Sequence, residues 1–92
     1  MTIQDTRIDT GLMLAMRYKQ PVVLLSTIIT DYFPHLSEAV ARRMANNQAL
    51  PFPCFKTDDS SKAQYLVHLS DLAACLDKQN EAAKKDWQAM HE

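Results

Sequence analysis

Apolar positions along this chain fall in short blocks whose period switches from helical to extended and back, and proline marks most of the switches. Leu12, Met13, Ala15 and Met16 follow Asp9 and Thr10, either of which suits an N-cap, so a first short helix is expected. Pro21 ends it, because the residue before proline avoids the α conformation and proline has no amide to donate. Val22-Val23-Leu24 favours a short extended segment. Ser26 is placed to cap a second helix over about 27–33, with Ile28, Ile29, Tyr32 and Phe33 turned inward and Pro34 as its stop. Ser37 caps a third helix running to about Gln48, with Glu38 at the positive end of its dipole. Leu36, Val40 and Met44 recur every four residues and are expected to face the core. The opposite side carries Glu38, Ala39, Arg42, Ala45 and Asn46, with Arg43 on the flank.

The run Leu50-Pro51-Phe52-Pro53-Cys54-Phe55 cannot be a helix or a central strand, since two prolines remove two ladder donors; an edge strand is expected. Residues 57–62 have turn chemistry, and Tyr65-Leu66-Val67-His68-Leu69 returns with β-favouring residues, so the pair reads as a hairpin with a polar tip. A hairpin that follows a helix-turn-helix is a wing. Ser70 then caps a last helix with Asp71 in its first turn. Leu69, Leu72, Ala73, Leu76, Ala83, Trp87 and Met90 share one side of it, interrupted by Gln79 and Asn80. The part after Lys78 outruns what so small a core can cover, so it either frays or pairs with another chain, with Trp87 and Met90 as anchors. The expected architecture is mainly α with a small β-hairpin. Residues 1–9 form a loose N-terminus, 10–78 a winged helix-turn-helix domain of the excisionase or MerR kind, and 79–92 a C-terminal helix extension suited to self-association.

Ninety-two residues with 47% hydrophobic positions support one small core and hardly a deep enzyme cleft. A net charge of −1 argues against a polycationic coat protein whose nucleic-acid affinity comes from spread charge. Between Val40 and Lys56, however, there are three bases and no acid. Cys54 and Cys75 stand apart from each other and from any close-spaced ligand, which points to buried free thiols rather than a metal site. No cofactor is implied. No signal-peptide run and no span of 18 apolar residues is present, so a cytoplasmic protein with no membrane partner is expected. An enzyme is the least supported class: Cys54 and His68 could be imagined as nucleophile and base, but no orienting carboxylate or glycine-rich oxyanion loop accompanies them.

A third helix bearing Arg42, Arg43, Asn46 and Asn47 suits a major groove, where Arg pairs bidentately with guanine and Asn with adenine. Lys56, Ser61, Lys62, Gln64 and Tyr65 on the wing are candidates for phosphate and backbone contact, although Asp58 and Asp59 oppose an approach by the tip itself. In this reading Arg42 and Asn46 read bases, and Arg43, Lys56 and Lys62 neutralise phosphates.

Several blocks taken in order, Thr10-Gly-Leu-Met-Leu-Ala-Met-Arg-Tyr18, Pro21-Val-Val-Leu24, Asp31-Tyr-Phe-Pro-His-Leu36, Leu50-Pro51, Ser61-Lys62-Ala63 and Val67-His-Leu-Ser-Asp-Leu-Ala73, resemble the pyocin activator family over roughly residues 10–79. The resemblance implies a small DNA-binding transcription activator that switches on bacteriocin or prophage genes from upstream sites. It further implies that Asp31, Tyr32, Phe33, His35 and Leu36 build the turn before the reading helix, and that Val67, His68, Leu69 and Leu72 brace the wing against the last helix. The chain departs from the family pattern at Asn46-Asn47-Gln48, where a turn with glycine is usual, and at Gln64-Tyr65, where glycine is expected. The partners implied are double-stranded DNA, a second copy of the chain as a homodimer or higher oligomer, and RNA polymerase. Two other classes stay open: an excisionase-like factor that bends DNA, and a phage-borne protein-binding module that kept the fold and lost the DNA surface, with Phe52, Phe55, Tyr65 and Trp87 as contact anchors.

Overall fold

The computed structural model describes residues 8–91. The order of elements is α1 (Thr10–Tyr18), β1 (Val22–Leu24), α2 (Leu25–Tyr32), α3 (Glu38–Asn46), β2 (Leu66–His68) and α4 (Leu69–Met90). Asp9 caps α1 by accepting from the Leu12 amide. The chain leaves α1 through Lys19 in the left-handed conformation, its amide donating back to the Ala15 carbonyl, and Pro21 then fixes the extended exit.

β1 and β2 pair antiparallel, Val22 opposite His68, Val23 opposite Val67 and Leu24 opposite Leu66. The ladder continues past both strands, with the Leu25 amide donating to the Tyr65 carbonyl and the Leu69 amide to the Pro21 carbonyl, each at 2.9 Å. The small sheet is therefore not the expected hairpin. Residues 50–55 contribute a single bridge, in which Phe55 and Leu66 exchange two backbone hydrogen bonds. The prolines explain this: Pro51 and Pro53 have no amides for a ladder, and the segment holds itself by burying alternate side chains, Leu50, Phe52 and Cys54.

Two expected caps are also corrected. α2 begins at Leu25 with Leu24 as the residue before it and no side-chain cap, while the Ser26 carbonyl accepts from the Thr30 hydroxyl. α4 begins at Leu69, and the cap is His68, whose Nδ1 accepts from the Ser70 amide at 3.2 Å. Both helices start where a paired strand ends, because strand pairing already holds the preceding residue extended, as a helix start requires.

Ser37 caps α3 as expected, accepting from the Val40 amide. The helix stops at Asn46 rather than Gln48, and Gln48 takes a left-handed conformation at φ 53°. The Gln48 amide donates to the Ala45 carbonyl and the Ala49 amide to the Met44 carbonyl, the two bonds of a Schellman cap. The inward face is rotated from the expected one. Ala41 and Ala45 are the buried residues of α3, with Leu36, Val40 and Met44 half-buried beside them. Two alanines let α3 settle closely on the core, and the larger side chains close its margins.

Ile28, Val67 and Leu72 are fully buried at the centre, with Leu14, Val23, Ile29, Phe52 and Leu69 around them. Both cysteines are free and buried, and burial pushes the Cys54 thiol up to about 11. α1 lies along the first half of α4, with Gly11 over Ala73 and the Thr10 hydroxyl donating to Asp77 Oδ1.

Beyond Leu76 every described residue of α4 is exposed. The consequence is visible in the dimensions: the radius of gyration is 15.6 Å, where a compact chain of this length has about 12 Å. No helix among the described residues is long and apolar enough to cross a membrane. The expected loose segment at 1–9 lies almost wholly outside the described residues.

Candidate nucleic-acid interface

α2, the turn at 33–37 and α3 form two short helices in succession, and the turn is held from both sides. On one side, Asp31 near the end of α2 accepts from the Tyr18 hydroxyl at 2.6 Å and pairs with Arg17 at 3.3 Å. The Arg17 guanidinium also donates to the Tyr32 hydroxyl and stands over both tyrosine rings. Burial, and then the hydrogen bond to Asp31, hold the Tyr18 phenol well above its usual range. On the other side, the Phe33 ring packs against Phe52 and His35, and the Leu36 amide donates to the Phe33 carbonyl. The Arg17–Tyr18–Asp31–Tyr32 cluster was not legible in the sequence, because nothing in spacing says that α1 ends beside the end of α2. It joins two of the sequence blocks singled out above, the one ending at Tyr18 and the one beginning at Asp31.

α3 turns Ala39, Arg43, Asn46 and Asn47 outward. Arg43 sits at the middle of that face, roughly opposite the buried Ala41 and Ala45 when residues are spaced by about 100°. Among the described residues, no hydrogen bond or ion pair engages the side chains of Arg43, Asn47, Lys62 or Gln64. Arg42, expected on the outward face, is half-buried and turned toward the following loop. Its Nη2 donates to the carbonyls of Ser61 at 2.6 Å and Ala63 at 3.3 Å, and its guanidinium stands over the Tyr65 ring. The Tyr65 hydroxyl in turn donates to Asn46 Oδ1 at 2.5 Å. Arg42, Asn46 and Tyr65 thus bind the loop to the helix.

Within the loop, residues 56–65, Asp58 Oδ1 accepts from the Ser60 amide and the Ser60 hydroxyl oxygen accepts from the Lys62 amide. Lys56 donates to the Ser60 carbonyl with its ammonium over Tyr65. A cleft of about 230 Å³ separates the loop from α2 and α3, floored by Leu25, Ile29, Leu36 and Ala41. No residue of 56–65 is fully buried, and hydrogen bonds made by Arg42, Lys56 and Tyr65 hold the loop.

Of the nine residues singled out for DNA, the structure places Arg43, Asn47, Lys62 and Gln64 at the surface with their side chains open to a ligand. Ser61 is exposed, with its carbonyl taken by Arg42. Arg42, Asn46, Lys56 and Tyr65 serve the loop. Of the four residues that the resemblance implies brace a wing against the last helix, Val67, Leu69 and Leu72 are buried and His68 is exposed, and the strand they belong to or follow pairs with β1. Trp87 and Met90 are exposed at 60% and 84%. His68 spends its Nδ1 on Ser70, and Cys54 is buried. Among the described residues no three His, Cys, Asp or Glu side chains converge as a metal site would need.

The family model for "Pyocin activator protein PrtN" matches residues 10–83, 74 of the 92 residues. The chain belongs to the pyocin activator family. No curated protein and no solved structure matches it. The span shared with the pyocin activator family begins at the first residue of α1 and reaches into the exposed half of α4. It includes the Tyr18–Asp31 tie, the loop and its tethers, and excludes Trp87 and Met90.

Proposed function

We propose that this pyocin activator family member is a DNA-binding transcription activator of bacteriocin or prophage genes. In this reading α2 and α3 form a helix-turn-helix, with α3 in the major groove and the 56–65 loop beside it as a wing. The observation that carries the reading is the outward face of α3. It offers one unengaged guanidinium, Arg43, between the small Ala39 and the amides of Asn46 and Asn47, next to a loop tethered by Arg42. Ala39 allows close approach, Arg43 suits guanine, and Asn47 suits adenine. Lys62 and Gln64 on the loop then reach phosphates, which position the protein without reading sequence. The base-reading roles move from Arg42 to Arg43 and from Asn46 to Asn47, because Arg42 and Asn46 are committed to the loop. Contact with RNA polymerase completes the activator role and falls to surfaces turned away from the groove.

The test is fluorescence anisotropy of the purified chain with DNA from upstream of its neighbouring genes, against a shuffled duplex. The upstream DNA is expected to bind preferentially, and Arg43→Ala should lose about ten- to a hundredfold in affinity for it, the 1–3 kcal/mol of one bidentate base contact. Equal, salt-insensitive signals for the two duplexes would overturn the DNA reading, and unchanged affinity in Arg43→Ala would overturn the choice of reading residue.

A further inference from the structure

The exposed half of α4 is a helix without a reason to be one in an isolated chain. Residues 77–90 make 14 positions of helix, near the length at which helices in water are marginal even with good helix formers. Past Asp77, which accepts from Thr10, the side-chain contacts described there are a Glu81–Lys84 pair at 3.8 Å and, at the far end, Trp87 stacked on His91, whose Nδ1 lies 2.9 Å from the Trp87 carbonyl. Yet the segment keeps a pattern. Leu76, Asn80, Ala83, Trp87 and Met90 recur at spacings of four, three, four and three, the seam of two helices wound together, with a polar residue at one inner position. This seam continues the core-facing stripe of Leu69, Leu72 and Leu76 past the end of the core.

A second apolar surface lies at the base of the same segment. Ile8 and Leu12, at the start of α1, are exposed at 74% and 59%. The Thr10–Asp77 hydrogen bond puts them level with the point where α4 leaves the core. One chain cannot bring its own Trp87 to them, since ten residues of helix separate Trp87 from Asp77, about 15 Å at 1.5 Å per residue.

We propose that two copies of the chain associate through an antiparallel crossing of their α4 extensions. Each Trp87 then lies beside Leu12 and Ile8 of the other copy. If the helices cross at Ala82 and Ala83, Trp87 of one stands level with Asp77 of the other, and the small residues allow close approach where the axes meet. The occupant is a second copy because the two unpartnered surfaces sit on one chain at the separation a two-fold axis needs to cover both at once. A standard interface takes about 800 Å² from each partner, and Ile8, Leu12, Trp87 and Met90, exposed at 74%, 59%, 60% and 84%, supply the large apolar groups for one. A parallel pairing would use only about two heptads and leave Ile8 and Leu12 uncovered. The inference stands apart from the DNA-binding reading, because it is tested without DNA.

Trp87 is the only tryptophan, so its emission reports the interface directly in the unmodified chain. On raising the concentration, the emission should move to shorter wavelength as sedimentation shifts from one chain to two. Chains carrying Leu12→Cys and Trp87→Cys, mixed under mild oxidation, should form the mixed disulfide. Trp87→Cys alone should not link to itself, since the crossing holds its two copies about 15 Å apart. A chain that stays single with unshifted emission would overturn the proposal. So would a Trp87→Cys chain that links to itself and leaves Leu12→Cys unlinked, which is the signature of a parallel pair.

Discussion

The outward face of α3 and the exposed half of α4 are both uncovered surfaces on helices, and they are built in opposite ways. On α3 Ala41 and Ala45 turn inward, and what remains outside is the Glu38 carboxylate, the small Ala39, the Arg43 guanidinium, two amides and a loop tied down by hydrogen bonds. On α4 the charged residues are spread around the helix while large apolar groups, Trp87 and Met90, stay in water. A polar surface held by polar tethers loses little by being wet and can meet a charged polymer reversibly. An apolar surface in water is costly until something covers it, at about 25 cal/mol for each square ångström. The comparison teaches that one exposed helix face keeps its polar groups in water at little cost, while the other leaves apolar area uncovered, which is what the proposed pairing would remove.

Salt is the strongest way to separate the two faces. If Arg43 and Lys62 together displace about two counterions, raising salt from 50 to 200 mM should weaken DNA binding by about tenfold. Pairing of chains, measured by Trp87 emission over the same range, should hold or strengthen; parallel losses in both would break the distinction. A smaller effect is expected from Arg42→Ala, which removes the two carbonyl tethers of the loop. It should lower stability by about 1–2 kcal/mol in urea unfolding and speed amide exchange in 60–65, leaving pairing unchanged. If exchange in the loop does not change, Arg42 is not its tether. The smallest effect concerns the end of α3. Gln48→Gly should stabilise the chain by about 0.5–1 kcal/mol, because glycine takes the left-handed conformation without strain. Loss of stability there would show that the Gln48 side chain contributes more than its backbone costs.

Much of the helical layout was legible because capping chemistry and proline act locally: Asp9, Ser37 and Pro21 do in the fold what their types imply. The strand pairing was not legible. Val22, Val23 and Leu24 read as extended, but nothing local names a partner over forty residues away, and the prolines that weaken 50–55 as a strand left β2 to β1. The face of α3 was misread for a related reason. Leu36, Val40 and Met44 are the more hydrophobic set, whereas close packing selected Ala41 and Ala45, and burial by small size leaves no hydrophobic signal. That rotation moved Arg42 from the outward face to the loop. At the candidate site, residue types were legible and their roles were not, since whether an arginine is engaged depends on carbonyls about twenty residues on.

The pairing of β1 with β2 encloses α2, α3 and the loop in one closed stretch of chain. Helices of eight and nine residues do not persist alone, so they gain their shape only when that stretch is shut. A ribosome adding roughly 5–20 residues per second must therefore deliver β2 and the opening turns of α4 before any of the preceding two-thirds can settle. Until that moment α3 carries Arg43 and Asn47 on an unformed segment, so the proposed DNA-binding surface takes shape only late in synthesis.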